Sequence, residues 1–241
     1  MAGPIEQFLI KPIVPLKVGS LDISFTNSSA MMVAATALAA GIVVFGMRNK
    51  SLVPGRLQSL AEMLHDFVAS NLKDVVGPEG RPFFPFVFSL FMFVLLGNLL
   101  GMLPYGFTFT SHLIVTMTLA MAVFLLVTVV GFVRHGTHFF GLFAPQGAPL
   151  PVMFILVPIE VISYFIRPLT HGMRLFGNMM AGHIMLKVFA GFSVMMGVVF
   201  GIVPMVFNVA MIGLEFFIAC LQAYVFMVLT CIYLNDAVNL H

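Results

Sequence analysis

The sequence predicts an all-α integral membrane protein with about five transmembrane helices and one amphipathic interfacial helix. Of its 241 residues, 61% are hydrophobic and only 8% are charged, whereas soluble domains carry about 25% charged residues. Several apolar stretches also reach the roughly 20 residues that a helix needs to cross the hydrocarbon core of a bilayer. A single membrane domain, residues 1–241, accounts for the whole chain.

The first three predicted spans have ordinary lengths and lie next to basic residues. They cover residues 31–47, 83–104 and 112–133, and Arg48, Arg81 and Arg134 lie at their boundaries. Residues 55–76 differ, because apolar side chains recur there at helical spacing and charged side chains take other positions. This pattern predicts an amphipathic helix that lies at the membrane surface.

The last two apolar stretches, residues 152–190 and 202–235, are too long for upright spans. A helix of about 37 residues is roughly 55 Å long, whereas the hydrocarbon core is about 30 Å thick. We therefore expect a long, steeply tilted helical hairpin whose turn lies between Gly191 and Gly201. Pro158 and Pro168 are candidate bends in its first arm.

The distribution of Lys and Arg predicts the orientation in the membrane. Five of these residues fall between the first and second spans, which favours a cytoplasmic location for that segment. The N-terminus is then outside and the C-terminus is cytoplasmic. The N-terminal segment does not resemble a cleaved signal or transit peptide. We expect the bacterial inner (plasma) membrane, with the mitochondrial inner membrane as the alternative.

Charged residues are scarce in the second half of the chain, and most lie within the two long helices. An Arg at mid-membrane costs about 2.5–3.5 kcal/mol on insertion scales, so it normally faces protein or a water-filled cavity. Glu160, Arg167 and Arg174 are seven residues apart, which places them within about 40° on a helix surface. His171 and Asn178 fall on the same stripe.

The final helix carries a matching stripe of Asn208, Glu215 and Gln222, with Tyr233 close to it. One antiparallel register brings three polar pairs to similar levels: Arg174 with Gln222, His183 with Glu215, and Glu160 with Asp236. The His183–Glu215 pair could exchange a proton, since a carboxylate stabilises a nearby charged imidazole. Alternatively, Arg167 reaches the interface or pairs with Glu160, and Asp236 is an interfacial charge.

Two motifs in the long helices resemble the signature of subunit a of F-type ATP synthases. One runs from Arg174 to His183 (RLFGNMMAGH), and the other from Leu221 to Thr230 (LQAYVFMVLT). The run GNLLGMLP at residues 97–104 fits the same family, and the resemblance spans most of the chain. It implies a proton-translocating stator subunit of the membrane (Fo) sector, which forms two half-channels against a c-ring and couples proton flow to rotation and ATP synthesis.

The resemblance also implies roles for individual residues. Arg174 matches the family's essential arginine facing the c-ring, and Gln222 matches its neighbour on the last helix. His183 and Glu215 reverse the Glu and His that some members carry, as the mitochondrial and alphaproteobacterial types do. Protons would pass His183, Glu215 and Asn178 on their way to a ring carboxylate.

Other residues are implied as lining of the half-channels. Many bacterial members carry Asp where Gly101 stands, so the outer half-channel would use other groups, with His112 a candidate. The inner half-channel candidates are Glu160, Ser163, His171, Tyr233 and Asp236. The implied partners are the c-ring, the peripheral-stalk b subunits and the lipid bilayer. No cofactor, metal or nucleic acid is expected, and ATP chemistry is left to partner subunits.

Three other functions compete with this interpretation. A secondary transporter would bind its substrate at mid-membrane, often within inverted repeats, but no such repeat is evident. A membrane metalloenzyme could use His112, His171, His183 and Glu215, but these lack a tight ligand spacing. A purely structural membrane scaffold is the third, and it leaves the cost of burying Arg174 unexplained.

Overall fold

In a computed structural model, the described residues are 9–15, 17–18, 21–22, 24–48, 54–103, 106–143 and 150–239. Within these ranges the chain is built from α-helices, with short strand pairs near the N-terminus. Five helices are long and apolar enough to cross a membrane. These observations confirm the predicted all-α membrane fold class.

The N-terminal strands were not expected from the sequence, because two- and three-residue strands leave no detectable alternation. Strand β1 (Pro12–Val14) pairs with β4 (Phe25–Thr26), and β2 (Lys17–Val18) pairs with β3 (Leu21–Asp22). Helix α1 (Asn27–Arg48) follows directly. The side chain of Asn27 accepts a hydrogen bond from the Lys11 amide at 3.1 Å, which ties β1 to the start of the helix.

Helix α2 (Arg56–Val76) has the amphipathic character that the sequence predicts, and it also packs against the rest of the protein. Val68 and Leu72 are buried against the rest of the protein, whereas Leu57 and Met63 are exposed. A surface helix that packs on protein and also exposes large apolar side chains suits the headgroup region of a bilayer. The helix ends at Gly77, whose positive φ of 82° favours glycine.

A 3-10 segment (Pro78–Phe83) leads into α3 (Phe84–Gly101). A second 3-10 turn (Phe109–Ser111) precedes α4 (Leu113–His135), and a third (Gly136–Phe143) follows it. The span expected at 83–104 therefore ends as a helix at Gly101. The chain then folds back so that Thr108 packs on the end of α3.

The two long helices are α5 (Leu150–Met195) and α7 (Ile202–Val238), joined by the short α6 (Gly197–Phe200). At 1.5 Å per residue they are about 69 and 55 Å long, so both must incline steeply in a bilayer. The turn lies in the interval expected for it, and Gly197 takes a positive φ of 73° there. Helix α5 is assigned as one continuous helix through Pro158 and Pro168.

Helix α7 is central to the packing, because it contacts α2, α3, α4 and α5. Its buried residues, including Phe226 and Met227, belong to the same apolar core as residues of α3 such as Met92 and Val94. Helix α1 packs at the periphery against α2 and α3. This arrangement leaves one face of the α5–α7 hairpin exposed, and the polar residues of both helices lie along or beneath that face.

Candidate functional site

His183 on α5 and Glu215 on α7 meet at the level that the hairpin register predicts. His183 Nδ1 lies 3.2 Å from Glu215 Oε1, and the Glu215 side chain is only 2% exposed. Neither carboxylate oxygen accepts a directed hydrogen bond from the described residues. A carboxylate held this close to an imidazole, with lone pairs to spare, can accept or return a proton.

Gly182 makes room for that carboxylate. A Cβ atom at this position would lie 2.7 Å from Glu215 Oε1 and 3.1 Å from its Cδ, closer than non-bonded atoms approach. A side chain at the position before His183 would therefore move the facing Glu215 carboxylate, which gives a packing reason for the Ala-Gly-His sequence.

Thr108 holds the other nitrogen of His183, and this contact was not expected from the sequence. Its Oγ1 lies 2.7 Å from His183 Nε2 and donates to the Gly101 carbonyl at 3.1 Å. A threonine hydroxyl has one proton and a carbonyl can only accept, so both contacts are hydrogen bonds when His183 Nε2 is the donor to Thr108. With Nε2 protonated, Nδ1 is left to exchange a proton with Glu215.

Gly101 and Thr108 occupy one compact site. A Cβ at residue 101 would overlap Thr108 Oγ1 and lie 2.8 Å from the Cβ of Thr108. A larger side chain at residue 101 would therefore displace Thr108 from this position. Ser111 fixes the loop further, because its hydroxyl donates to the Thr108 carbonyl at 2.6 Å.

Arg174 is exposed on α5. Among the described residues none forms an ion pair or hydrogen bond with its guanidinium. One turn later, Asn178 Nδ2 donates to Gln222 Oε1 at 2.6 Å. Gln222 therefore pairs with Asn178, and not with Arg174, which the predicted register places opposite it. Between them, Gly177 faces open space, since a Cβ there would meet no atom within 4 Å.

The expected pairing of Glu160 with Asp236 is wrong. Asp236 Oδ2 instead accepts from Arg167 Nη1 at 2.8 Å, and both side chains are partly buried. Arg167 lies two helical turns beyond Glu160 on the same stripe and has the longer side chain. The contact joins positions several residues out of the register found at His183, and the long Arg167 side chain spans the difference.

His171 lies in an aromatic environment between this ion pair and Arg174. The residue is 2% exposed. The centroid of its ring lies 3.8 Å from that of Phe226 and 5.7 Å from that of Tyr233. Neither ring nitrogen has a hydrogen-bond partner among the described residues. A cavity of about 10 Å³, bordered by His171, Tyr233 and Arg167, has room for about one water molecule.

The remaining candidates, Glu160, Ser163 and His112, make none of the contacts described above. Glu160 is half-buried and Ser163 is exposed on α5. His112 is the N-terminal cap of α4 and stacks on Phe107 with ring centroids 5.1 Å apart. Burial lowers the pKa of His112 below its ordinary value of 6.5. Its Nε2 has no hydrogen-bond partner in the described part of the chain.

Asn98 is a second residue that sequence reasoning left without a role. It is fully buried on α3, and its Nδ2 donates to the Ala219 carbonyl of α7 at 3.1 Å. An amide that satisfies a helical carbonyl fixes α7 against α3 one turn from Glu215. The available signal was the single amide side chain in a largely apolar span.

Residues 29–235 match the family model described as ATP synthase A chain. Proteins named ATP synthase subunit a are similar over the full length. That of Rhodospirillum rubrum is 56% identical over 241 residues, and that of Paramagnetospirillum magneticum is 58% identical over 247 residues, each covering 100% of both chains. That of Agrobacterium fabrum is 53% identical over 242 residues, covering 98% of this chain and 97% of its own.

Proposed function

This chain belongs to the ATP synthase A chain family, and from that membership and the site geometry we propose that Arg174, His183 and Glu215 are its proton-translocating residues. The chain is the proton-translocating stator subunit of the Fo sector, a multi-pass membrane protein in an ATP synthase complex. The observation that carries the residue assignment is the His183–Glu215 pair, whose carboxylate is buried, two to three helical turns from an exposed Arg174 that pairs with no described residue.

Protons from outside reach the outer half-channel at Thr108, His183 and Glu215. His183 keeps its Nε2 proton on Thr108 and exchanges the proton between Nδ1 and Glu215. From there Asn178 and Gln222, joined at 2.6 Å, lead along the hairpin towards Arg174. His112, whose Nε2 has no hydrogen-bond partner among the described residues, stands on the same loop as Thr108 and can take up a proton nearer the surface.

Arg174 governs the ring carboxylate. A guanidinium stays charged in proteins, and a nearby positive charge favours the ionised form of a carboxylate. The ring acid therefore releases its proton before it passes Arg174 and must be protonated again to re-enter lipid. The same charge repels protons and prevents a direct leak between the half-channels. Each charge crossing 100 mV releases about 2.3 kcal/mol to drive rotation.

The exposed face around Arg174 suits a close-packed helical partner. Gly177 costs about 1 kcal/mol of helix stability relative to Ala, and no atom of the described chain requires it. On α7, Leu214 and Phe217 are more than half exposed. A surface with a small residue beside the arginine and apolar side chains nearby is suited to the c-ring. The ring helices must approach this surface closely and slide past it.

Protons leave on the inner side past His171, Tyr233, Arg167 and Asp236, with Glu160 and Ser163 nearer the cytoplasm. One water in the small cavity beside His171 would satisfy part of that ring and link it to Tyr233. The Arg167–Asp236 pair fixes the positions of both charges at the end of the hairpin.

The same assignment sets the orientation and the further partners. The N-terminus lies outside and the C-terminus in the cytoplasm, in the inner membrane of a bacterium, as the basic segment between α1 and α3 favours. The peripheral-stalk b subunits hold the chain against the ring. The chain itself is non-catalytic, and nucleotide chemistry takes place on partner subunits.

Replacing Arg174 tests this function. In membrane vesicles with an imposed proton gradient, Arg174→Ala should abolish ATP synthesis, and Arg174→Lys should also fail because an ammonium loses its proton more readily than a guanidinium. Arg56→Ala, which removes an exposed cation on α2, is the matched control and should synthesise ATP normally. Normal proton-driven synthesis by Arg174→Ala would exclude the proposal.

A further inference from the structure

A basic pocket lies where α2 meets the start of α3, far along the chain from the proton path. It is bordered by His65 and Lys73 of α2, by Arg81 of the 3-10 segment and by Phe84 of α3, and encloses about 340 Å³. Among the described residues, neither Lys73 nor Arg81 forms an ion pair or hydrogen bond through its side chain. Two cations that pair with no described residue therefore border one concave site.

The acidic residues nearby do not neutralise this pocket. Glu79 is paired with Arg134, and Asp66 contacts His65 at 3.1 Å on an exposed part of α2. Neither Asp66 nor Asp74 borders the pocket. The pocket therefore carries a net positive charge at the level of the interfacial helix.

An apolar cleft begins beside the same pocket. It lies between α1, from Thr36 to Val44, and α3, from Phe86 to Phe93, and encloses about 670 Å³. Phe84 of the basic pocket stacks on Phe88 of the cleft with ring centroids 5.5 Å apart. The His65 ring lies 4.7 Å from Phe84 and 6.4 Å from Phe88. The two sites thus adjoin through a short aromatic wall.

We propose that an anionic phospholipid binds here, with its phosphate between Lys73 and Arg81 and one acyl chain along Phe84 and Phe88 in the cleft between α1 and α3. A basic pocket between helices at the cytoplasmic surface is suited to anionic lipid headgroups. The charge of the pocket selects the headgroup, and the cleft, which is lined almost entirely by apolar atoms, accepts the chain. The bound lipid fills the gap between the peripheral α1 and the core helix α3.

Spin-labelled phosphatidylglycerol, compared with spin-labelled phosphatidylcholine, tests the proposal on the assembled, detergent-purified complex. Each basic residue near an anionic lipid contributes about fivefold in binding. Lys73→Gln with Arg81→Gln should therefore lower the preference for phosphatidylglycerol by about 25-fold. The matched control is Arg48→Gln with Arg56→Gln, which removes two exposed cations outside the pocket and should change the preference little. Proton pumping by each variant verifies that the complex is assembled.

Two further arms separate the lipid from other occupants. Ala40→Phe, which fills the cleft, should release the immobilised acyl chain while leaving both cations in place. Excess inorganic phosphate should not displace the lipid, since phosphate lacks the chain. Equal losses in the two double variants, displacement by phosphate alone, or a preference in the isolated chain that vanishes in the complex would each overturn the proposal. The last result would assign the cleft to a partner helix.

Discussion

The contact between Thr108 and His183 supports a quantitative test of the outer half-channel. Thr108→Val removes the hydroxyl that His183 Nε2 donates to at 2.7 Å while keeping the branched shape of the side chain. The buried N–H of His183 then loses its acceptor, at a cost of about 1–3 kcal/mol. The ring is free to turn or to move its proton to Nδ1, which interrupts exchange with Glu215.

The expected size of the effect follows from that cost. A change of 1.36 kcal/mol is a factor of ten in rate, so we expect proton-driven ATP synthesis to fall roughly tenfold, with about a hundredfold as the upper bound. The assay is the initial rate of ATP synthesis in vesicles under an imposed proton gradient, normalised to the amount of assembled complex.

Thr108→Ser is the matched control, because it keeps the hydroxyl and its bond to the Gly101 carbonyl. Its rate should stay within about twofold of the unmodified protein. A positioning role also predicts that the pH profile of Thr108→Val changes shape, since the tautomer of His183 is no longer fixed. Unmodified rates and an unmodified pH profile in Thr108→Val would refute the role assigned to Thr108.

Three further outcomes are expected. Gly182→Ala should displace the Glu215 carboxylate, which lies 2.7 Å from the added Cβ, and slow proton translocation at least tenfold in the same assay; retained rates would show that the pair tolerates separation. Gly177→Leu should block rotation without unfolding the chain. Gly191→Leu places the same side chain at an equally open position of the same helix and should leave rotation intact. ATP-driven proton pumping distinguishes the two variants, and equal pumping would exclude a close partner at Gly177. Asp236→Asn should destabilise the purified chain by up to about 1 kcal/mol, because the pair is partly exposed and Arg167 loses the negative charge of its partner, and Arg167→Gln with Asp236→Asn should recover part of that loss in thermal unfolding.

The helices could be predicted closely from the sequence because each depends on a local property. Long apolar runs define the spans, and the periodicity of residues 55–76 defines the interfacial helix. The N-terminal strands could not be predicted in this way, since two-residue strands carry no periodic signal. The end of α3 at Gly101 also depends on a loop that folds back, which is a tertiary contact.

The candidate site likewise has residues that could be predicted from local spacing and residues that depend on tertiary contacts. His183 and Glu215 could be paired from spacing alone, because both lie on regular helices joined by a short turn. Thr108 could not, because it reaches His183 from a loop 75 residues away in sequence. The Arg167–Asp236 pair could not be predicted from the register, because a register compares backbone levels and ignores the reach of a long side chain.

The central claim is that Arg174 is a permanent cation facing a moving acid, and the most direct measurement is its position in the assembled, membrane-embedded complex. We expect the Arg174 guanidinium within a hydrogen bond or one bridging water of a ring carboxylate, with Gly177 against a ring helix. A guanidinium in bulk water at the membrane surface, or one remote from every ring carboxylate, would contradict the account.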